Sequence, residues 1–295
     1  MKKFLVLFLA LSLLGGAAFA EELGLTAGVE FHIGALNHED VDAMDTAVLR
    51  PYLFWENSDL VENLELYAEI GIPFWMSSWL YDDLWLGVDL TLRGTYNLEL
   101  SPEGTLGLIL ESQSFFLAPL EDYQFAQTPA FGWGWGLTNT TSWLVPGVRY
   151  THDLGDMSVF GQLNIPMQLF YGEDSTFDHV GIDIIAGFDM NMDFGLLGVE
   201  VEFNGILTDE GDSDFAQRLT ITPFIELADL PLYAELSISM PLMSDGMDWY
   251  GMTITPEVRY YVMDNLRAFF NLPIQGIASD HDVTIGLGLG VQFSF

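Results

Sequence analysis

Cysteine is absent from the 295-residue chain, and lysine occurs only at Lys2 and Lys3. The first absence excludes disulfide frameworks, cysteine-ligated iron–sulfur clusters and a thiol nucleophile. The second leaves residues 21–295 with six arginines against 43 carboxylates, a net charge of −37. Nucleic acid is therefore excluded as a partner, because phosphate neutralisation draws on Lys and Arg. Motifs of the G-x-S-x-G, H-E-x-x-H and phosphate-loop kinds are missing too. His32 with Glu30, and His179 with Asp183, share a face toward one rim, yet acid-rich loops bring His and carboxylate together without chemistry. The expectation is a protein that is not an enzyme, with no catalytic residues, no metal and no cofactor. Asp209, Asp212 and Asp214 match a calcium loop poorly and read as a solvated acidic surface.

Residues 1–20, MKKFLVLFLALSLLGGAAFA, combine two lysines, an apolar stretch and Ala18-Phe19-Ala20. That order predicts a secretory signal peptide cleaved after Ala20, with residues 21–295 forming a single domain. Past residue 20 no apolar run is long enough for a spanning helix. Half of all residues are nevertheless apolar and mean hydropathy is positive. Apolar content this high must be distributed at a period that hides it.

The period is two. Leu64, Leu66, Ala68, Ile70, Ile72 and Phe74 alternate with other residues, and so do Val180, Ile182, Ile184, Ala186, Phe188 and Met190. The segments are about 10–14 residues long, which is long for soluble strands and suits tilted transmembrane ones. Hairpin units recur from Pro51, Pro146, Pro223 and Pro256. The reading is all-β: a transmembrane up-and-down antiparallel barrel, whose closure leaves no edge. An even strand number, with short turns at HDLGD, MDFG, ADLP and VMDN, gives fourteen strands, with 12 or 16 as alternatives. They are predicted at 23–36, 47–56, 62–74, 84–98, 105–117, 143–152, 157–171, 179–192, 196–207, 217–227, 232–242, 251–261, 266–275 and 282–295. Residues 118–142 are then a long external loop. Eight prolines fall in or near the strands, and most belong toward the outer half, where bulges at the rim absorb them.

The chain closes on DVTIGLGLGVQFSF, apolar at every second residue to Phe295. This strand, with Val291, Phe293 and Phe295, resembles the assembly signal of bacterial outer-membrane β-barrel proteins. Together with the signal peptide and the strand pattern, the chain is similar to porin-type barrels. The resemblance implies an outer-membrane location, contact with outer-membrane lipid and recognition by the barrel-assembly machinery. It also implies that the third external loop folds inward as a constriction, with Glu121, Asp122, Trp133 and Trp135 lining it. An aromatic sugar-stacking track or a plain external hairpin stays open for FGWGWG.

With the alternating apolar residues facing lipid, the arginines Arg50, Arg93, Arg149, Arg218, Arg259 and Arg267 all fall on lumen parity. So do the acids Glu30, Glu65, Glu69, Asp89, Glu111, Asp183, Asp189, Glu200, Glu202, Glu226, Glu235 and Glu257. An interior with twice as many acids as arginines predicts a hydrated, cation-preferring conduit for passive diffusion of small hydrophilic solutes or cations. Gly286, Gly288 and Gly290 are expected to add room on the inner face of the last strand. A plugged barrel acting as adhesin or surface anchor, and a transporter of hydrophobic substrates, remain alternatives, and a homo-oligomer stays open. Deleting Phe295 should lower the amount of barrel inserted in the membrane, read by quantitative blotting of membrane fractions. Normal levels would remove the assembly role.

Overall fold

In the computed structural model, the residues described are 25–34, 47–75, 85–117, 140–171, 180–206, 217–242, 251–263, 265–279 and 283–295. They form β1 (Leu25–Ile33), β2 (Val48–Val61), β3 (Leu64–Gly71, resuming at Phe74–Trp75), β4 (Trp85–Ser101), β5 (Gly104–Leu117), β6 (Thr140–Asp153) and β7 (Met157–Asn164, resuming at Met167–Tyr171). There follow β8 (Gly181–Met192), β9 (Gly195–Ile206), β10 (Arg218–Leu227), β11 (Leu232–Pro241) and β12 (Met252–Met263). The last two are β13 (Leu266–Asn271, resuming at Ile274–Ile277) and β14 (Thr284–Ile285 with Leu287–Ser294). Each strand pairs antiparallel with its chain neighbours. Val29 of β1 faces Pro51 of β2 on one side and Val291 of β14 on the other, so the sheet closes. Alternation predicts a closed antiparallel barrel of fourteen strands, and that is the fold.

Three strands run past their expected ends by three residues or more: β4 to Ser101 instead of Leu98, β6 at its start and β2 at its end. Thr140, Thr141 and Ser142 pair with Phe116, Phe115 and Ser114, so β6 takes up the last three residues of the expected 118–142 loop. β2 continues to Val61 through a register shift after Asn57, where a turn from residue 57 is expected. There the Leu60 N–H donates to Asn57 Oδ1 at 2.7 Å, a local side-chain bond that holds a bulge. The turn itself comes later, at Asn63 with φ of 64°.

The prolines are organised rather than scattered. Ile72-Pro73, Ile165-Pro166 and Leu272-Pro273 sit at the interruptions of β3, β7 and β13. In each case the residue before the proline donates its N–H to a proline carbonyl on the preceding strand: Ile72 to Pro51, Ile165 to Pro146 and Leu272 to Pro256, at 2.9, 2.9 and 3.1 Å. The interrupting proline's own carbonyl then accepts from a glycine on the following strand: Gly87 to Pro73, Gly181 to Pro166 and Gly286 to Pro273, at 3.0, 2.7 and 2.8 Å. A pair of residues that would exchange two ladder bonds keeps one, because proline has no N–H. Six of the strand prolines are thus gathered into three equivalent places, away from the short turns. Bulges do not absorb these prolines; matched proline–proline–glycine triplets do.

Outside, the alternating apolar residues form the exterior. Leu110 is 55% exposed, Val291 51% and Leu92 46%, whereas Arg50 is only 9% exposed. An apolar exterior on a closed sheet is the surface that hydrocarbon solvates and water does not. Leu110→Arg should destabilise the lipid-folded protein by about 2–4 kcal/mol in urea titrations of refolded barrel in vesicles. A neutral effect would mean that this position does not face hydrocarbon.

Candidate functional site: the charged lumen

Inward parity brings the charged side chains into three groups and one looser pair. On β1–β4, Arg50 is the hub. Its Nε donates to Asp89 Oδ2 at 2.8 Å and its Nη2 to Asp89 Oδ1 at 2.6 Å, a two-pronged contact. Arg50 also bonds Glu69 and stands 3.5 Å from Glu30, while its guanidinium lies 5.2 Å from the Tyr52 ring centre. His32 is 3.4 Å from Glu30 and so belongs to this cluster. On β11 and β12, Arg259 donates to Glu257 at 2.6 Å, approaches Glu235 at 3.6 Å and stacks on Tyr233. Arg93 of β4 reaches Glu111 of β5 only at 4.0 Å.

The third group has no cation. Asp183 of β8 is fully buried and accepts from the Asn164 amide at 3.1 Å and from the Asn204 amide. Amide donors on both neighbouring strands satisfy the carboxylate where no arginine contacts it. Asn204 also donates to Glu202 at 3.0 Å.

The twelve predicted inward acids therefore split in half. Glu30, Glu69, Asp89, Glu111, Glu235 and Glu257 lie within 4.0 Å of an arginine. Glu65, Asp183, Asp189, Glu200, Glu202 and Glu226 do not, among the described residues. Five of those six lie on β8, β9 and β10, and are therefore on three adjacent strands. Glu65 accepts from the Asn97 amide instead, at 2.7 Å. Of the remaining arginines, Arg267 donates to Gln292 of the closing strand, and Arg218 pairs in register with Asn204. Arg149 stacks on Phe160.

Sequence reasoning overlooked the inward aromatics. Tyr52, Tyr67, Phe160 and Tyr233 each lie two residues from a charged or amide side chain of the same strand, and that spacing is the signal. The inner-face glycines are corrected by the same rings. A Cβ on Gly290 would lie 2.1 Å from the Phe269 ring, and one on Gly288 would meet Asn271 and His32. Pro273 crowds Gly286 in the same way. The glycines of the last strand add no room, because their cross-strand partners occupy it. Gly28 under Tyr52, Gly187 under Phe160 and Gly198 under Phe224 repeat the arrangement.

Phe293 and Phe295 pack edge to face at 4.8 Å, and the Phe295 N–H donates to Leu25 across the closing seam at 3.1 Å. Glu121, Asp122, Trp133 and Trp135 lie outside the described residues, as do His38, His179, His281, Asp209, Asp212 and Asp214. Residues 1–20 lie outside them as well.

No protein-family model matches the chain, and no curated protein matches it by sequence. Among solved structures, the chain is similar to the Acinetobacter baumannii outer membrane protein Omp33, at 7% identity and a TM-score of 0.50, over 92% of this chain and 98% of that one. It is also similar to CdiB from Acinetobacter baumannii, at 10% identity and a TM-score of 0.51, over 92% of this chain and 60% of that one. The toluene transporter TbuX of Ralstonia pickettii matches at 10% identity with a TM-score of 0.47, over 92% and 90% of the two chains. At these identities the likeness is one of fold.

Arg50 is the group whose loss the lumen tolerates least, because three carboxylates would be left facing one another. Arg50→Gln should destabilise the refolded barrel by about 3 kcal/mol or more in urea titrations. An unchanged midpoint would mean that water, not Arg50, solvates Glu30, Glu69 and Asp89.

Proposed function

With the chain a fourteen-stranded barrel of the outer-membrane type, we propose that it is a passive, cation-preferring channel for small hydrophilic solutes in a bacterial outer membrane. The observation that carries this reading is the run of carboxylates on β8–β10 with no arginine in contact: Asp183, Asp189, Glu200, Glu202 and Glu226. Carboxylates neutralised by arginine set no sign of potential, whereas five on one wall, with Arg149 acting on Asp189 and Glu200 only through space, leave an excess of negative charge that attracts cations and repels anions. Strand number supports the reading too, since eight-stranded barrels are filled by side chains while 16–18 strands enclose a water channel. Carriage of the C-terminal aromatic strand to the barrel-assembly machinery belongs to the same proposal.

Selectivity should follow the unpaired acids. Replacing Asp189 by Asn together with Glu200 and Glu202 by Gln should lower the cation-to-anion permeability ratio severalfold. Planar-bilayer reversal potentials under a KCl gradient would read that change. A ratio unaltered in a conducting triple variant would remove the β8–β10 wall as the selectivity element.

A further inference from the structure

Three inward arginines share one arrangement and differ in one respect. Arg93 stacks on Tyr67 with 5.0 Å from guanidinium carbon to ring centre, Arg149 on Phe160 with 4.0 Å, and Arg259 on Tyr233 with 4.8 Å. In the first and third cases the ring carries a hydroxyl that donates to a glutamate two residues on: Tyr67 to Glu69, and Tyr233 to Glu235. The arginine there also has a carboxylate within 4.0 Å. In the middle case the hydroxyl is absent, Gln162 stands where the others have glutamate, and no carboxylate among the described residues contacts Arg149. Stacking holds one face of the Arg149 guanidinium against Phe160. Its N–H donors make no side-chain hydrogen bond among the described residues, and Glu200, Asp189 and Glu65 act on it only through space.

Those donors face a cavity of about 650 Å3, lined by Arg149 and Arg93 and also by Glu65, Glu99 and Glu111. That size is typical of small-molecule sites. Glu111 is drawn toward Arg93, leaving Glu65 and Glu99 with no arginine in contact. A simple anion entering here meets carboxylates, and a simple cation meets guanidinium groups. A solute with both charges a few bonds apart meets a partner for each.

We infer that this cavity is a subsite for small zwitterions of the amino-acid type. The solute's carboxylate sits on Arg149, with Arg93 beside it, and its ammonium group is held by Glu65 and Glu99. Burial of the guanidinium face against Phe160 strengthens the first contact, because a charge-assisted bond gains where water is excluded on one side. The inference deepens the channel reading and rests on a lumen open to solutes.

Saturation-transfer NMR on the detergent-refolded protein tests it, with β-alanine as the probe and propionate and propylamine as single-charge controls of the same length. Saturable β-alanine binding is expected, with each control at least tenfold weaker. Arg149→Gln should raise the apparent Kd for β-alanine at least tenfold, and the double variant Glu65→Gln with Glu99→Gln should do the same from the other end. Circular dichroism establishes that each variant is folded; if Arg149→Gln does not fold, the glutamate pair decides. No β-alanine binding to the folded protein, propionate binding as tightly, or unchanged affinity in the folded variants would overturn the subsite. Bilayer conductance is recorded in parallel. Binding without conductance would sink the channel and leave the subsite in place, and conductance without binding would do the reverse.

Discussion

Closure of the hydrogen-bond ladder is the constraint on which the rest depends. Val29 pairs with Pro51 on one side and Val291 on the other, so the first strand has no free edge and neither has the last. A sheet whose outer face is apolar can lie in hydrocarbon only if its backbone donors and acceptors are satisfied internally. The proline triplets follow from this requirement. Each proline deletes one donor, and six of the strand prolines are gathered into three sites where the neighbouring carbonyl still accepts a bond. At Gly181 and Gly286 the glycine follows as well, because the proline ring would lie 2.8 Å from an added Cβ.

Closure also commits every second side chain to the lumen, which makes pairing inside it an electrostatic problem. The chain solves it unevenly. Arg50 and Arg259 gather five carboxylates between them, while β8–β10 leave theirs to amides or to the lumen itself. Arg149 is the mirror image, a cation set against an aromatic ring instead of a carboxylate. Charges of both signs are thus left without a contact ion pair, Arg149 acting on Glu200, Asp189 and Glu65 only through space. A barrel filled merely to be solid would have little reason to keep them, since an uncompensated charge beside low dielectric is costly.

Much of the fold was legible because period two is a strong signal when sustained for ten residues or more, as from Leu84 to Leu98 or Val180 to Met192. The even strand number then follows from the alternation of short and long connections. What the alternation cannot carry is which residues meet across strands. Glu65 and Glu69 look alike in sequence; one bonds an amide and the other Arg50, because β4 presents Asn97 to the first and β2 presents Arg50 to the second. The glycines of β14 look like empty space until Phe269, Asn271 and Pro273 of β13 are placed over them. The prolines read singly as defects, and as matched triplets only once the register of β2 on β3 and β3 on β4 is known. Thr140–Ser142 look like loop, and are strand because β5 runs far enough to pair with them.

The absence of native cysteine allows a direct test of the inward and outward faces. Glu200 and Val201 are adjacent on β9 and face opposite sides of the wall. A single cysteine at each position, in barrels refolded into vesicles, would be exposed to a charged, membrane-impermeant thiosulfonate and its labelling rate measured. Rapid labelling at position 200 and none at 201 is the expected result, and means a water-filled lumen inside an apolar wall. Inert thiols at both positions would mean a plugged interior, and labelling at 201 alone would mean that the register of the barrel is inverted.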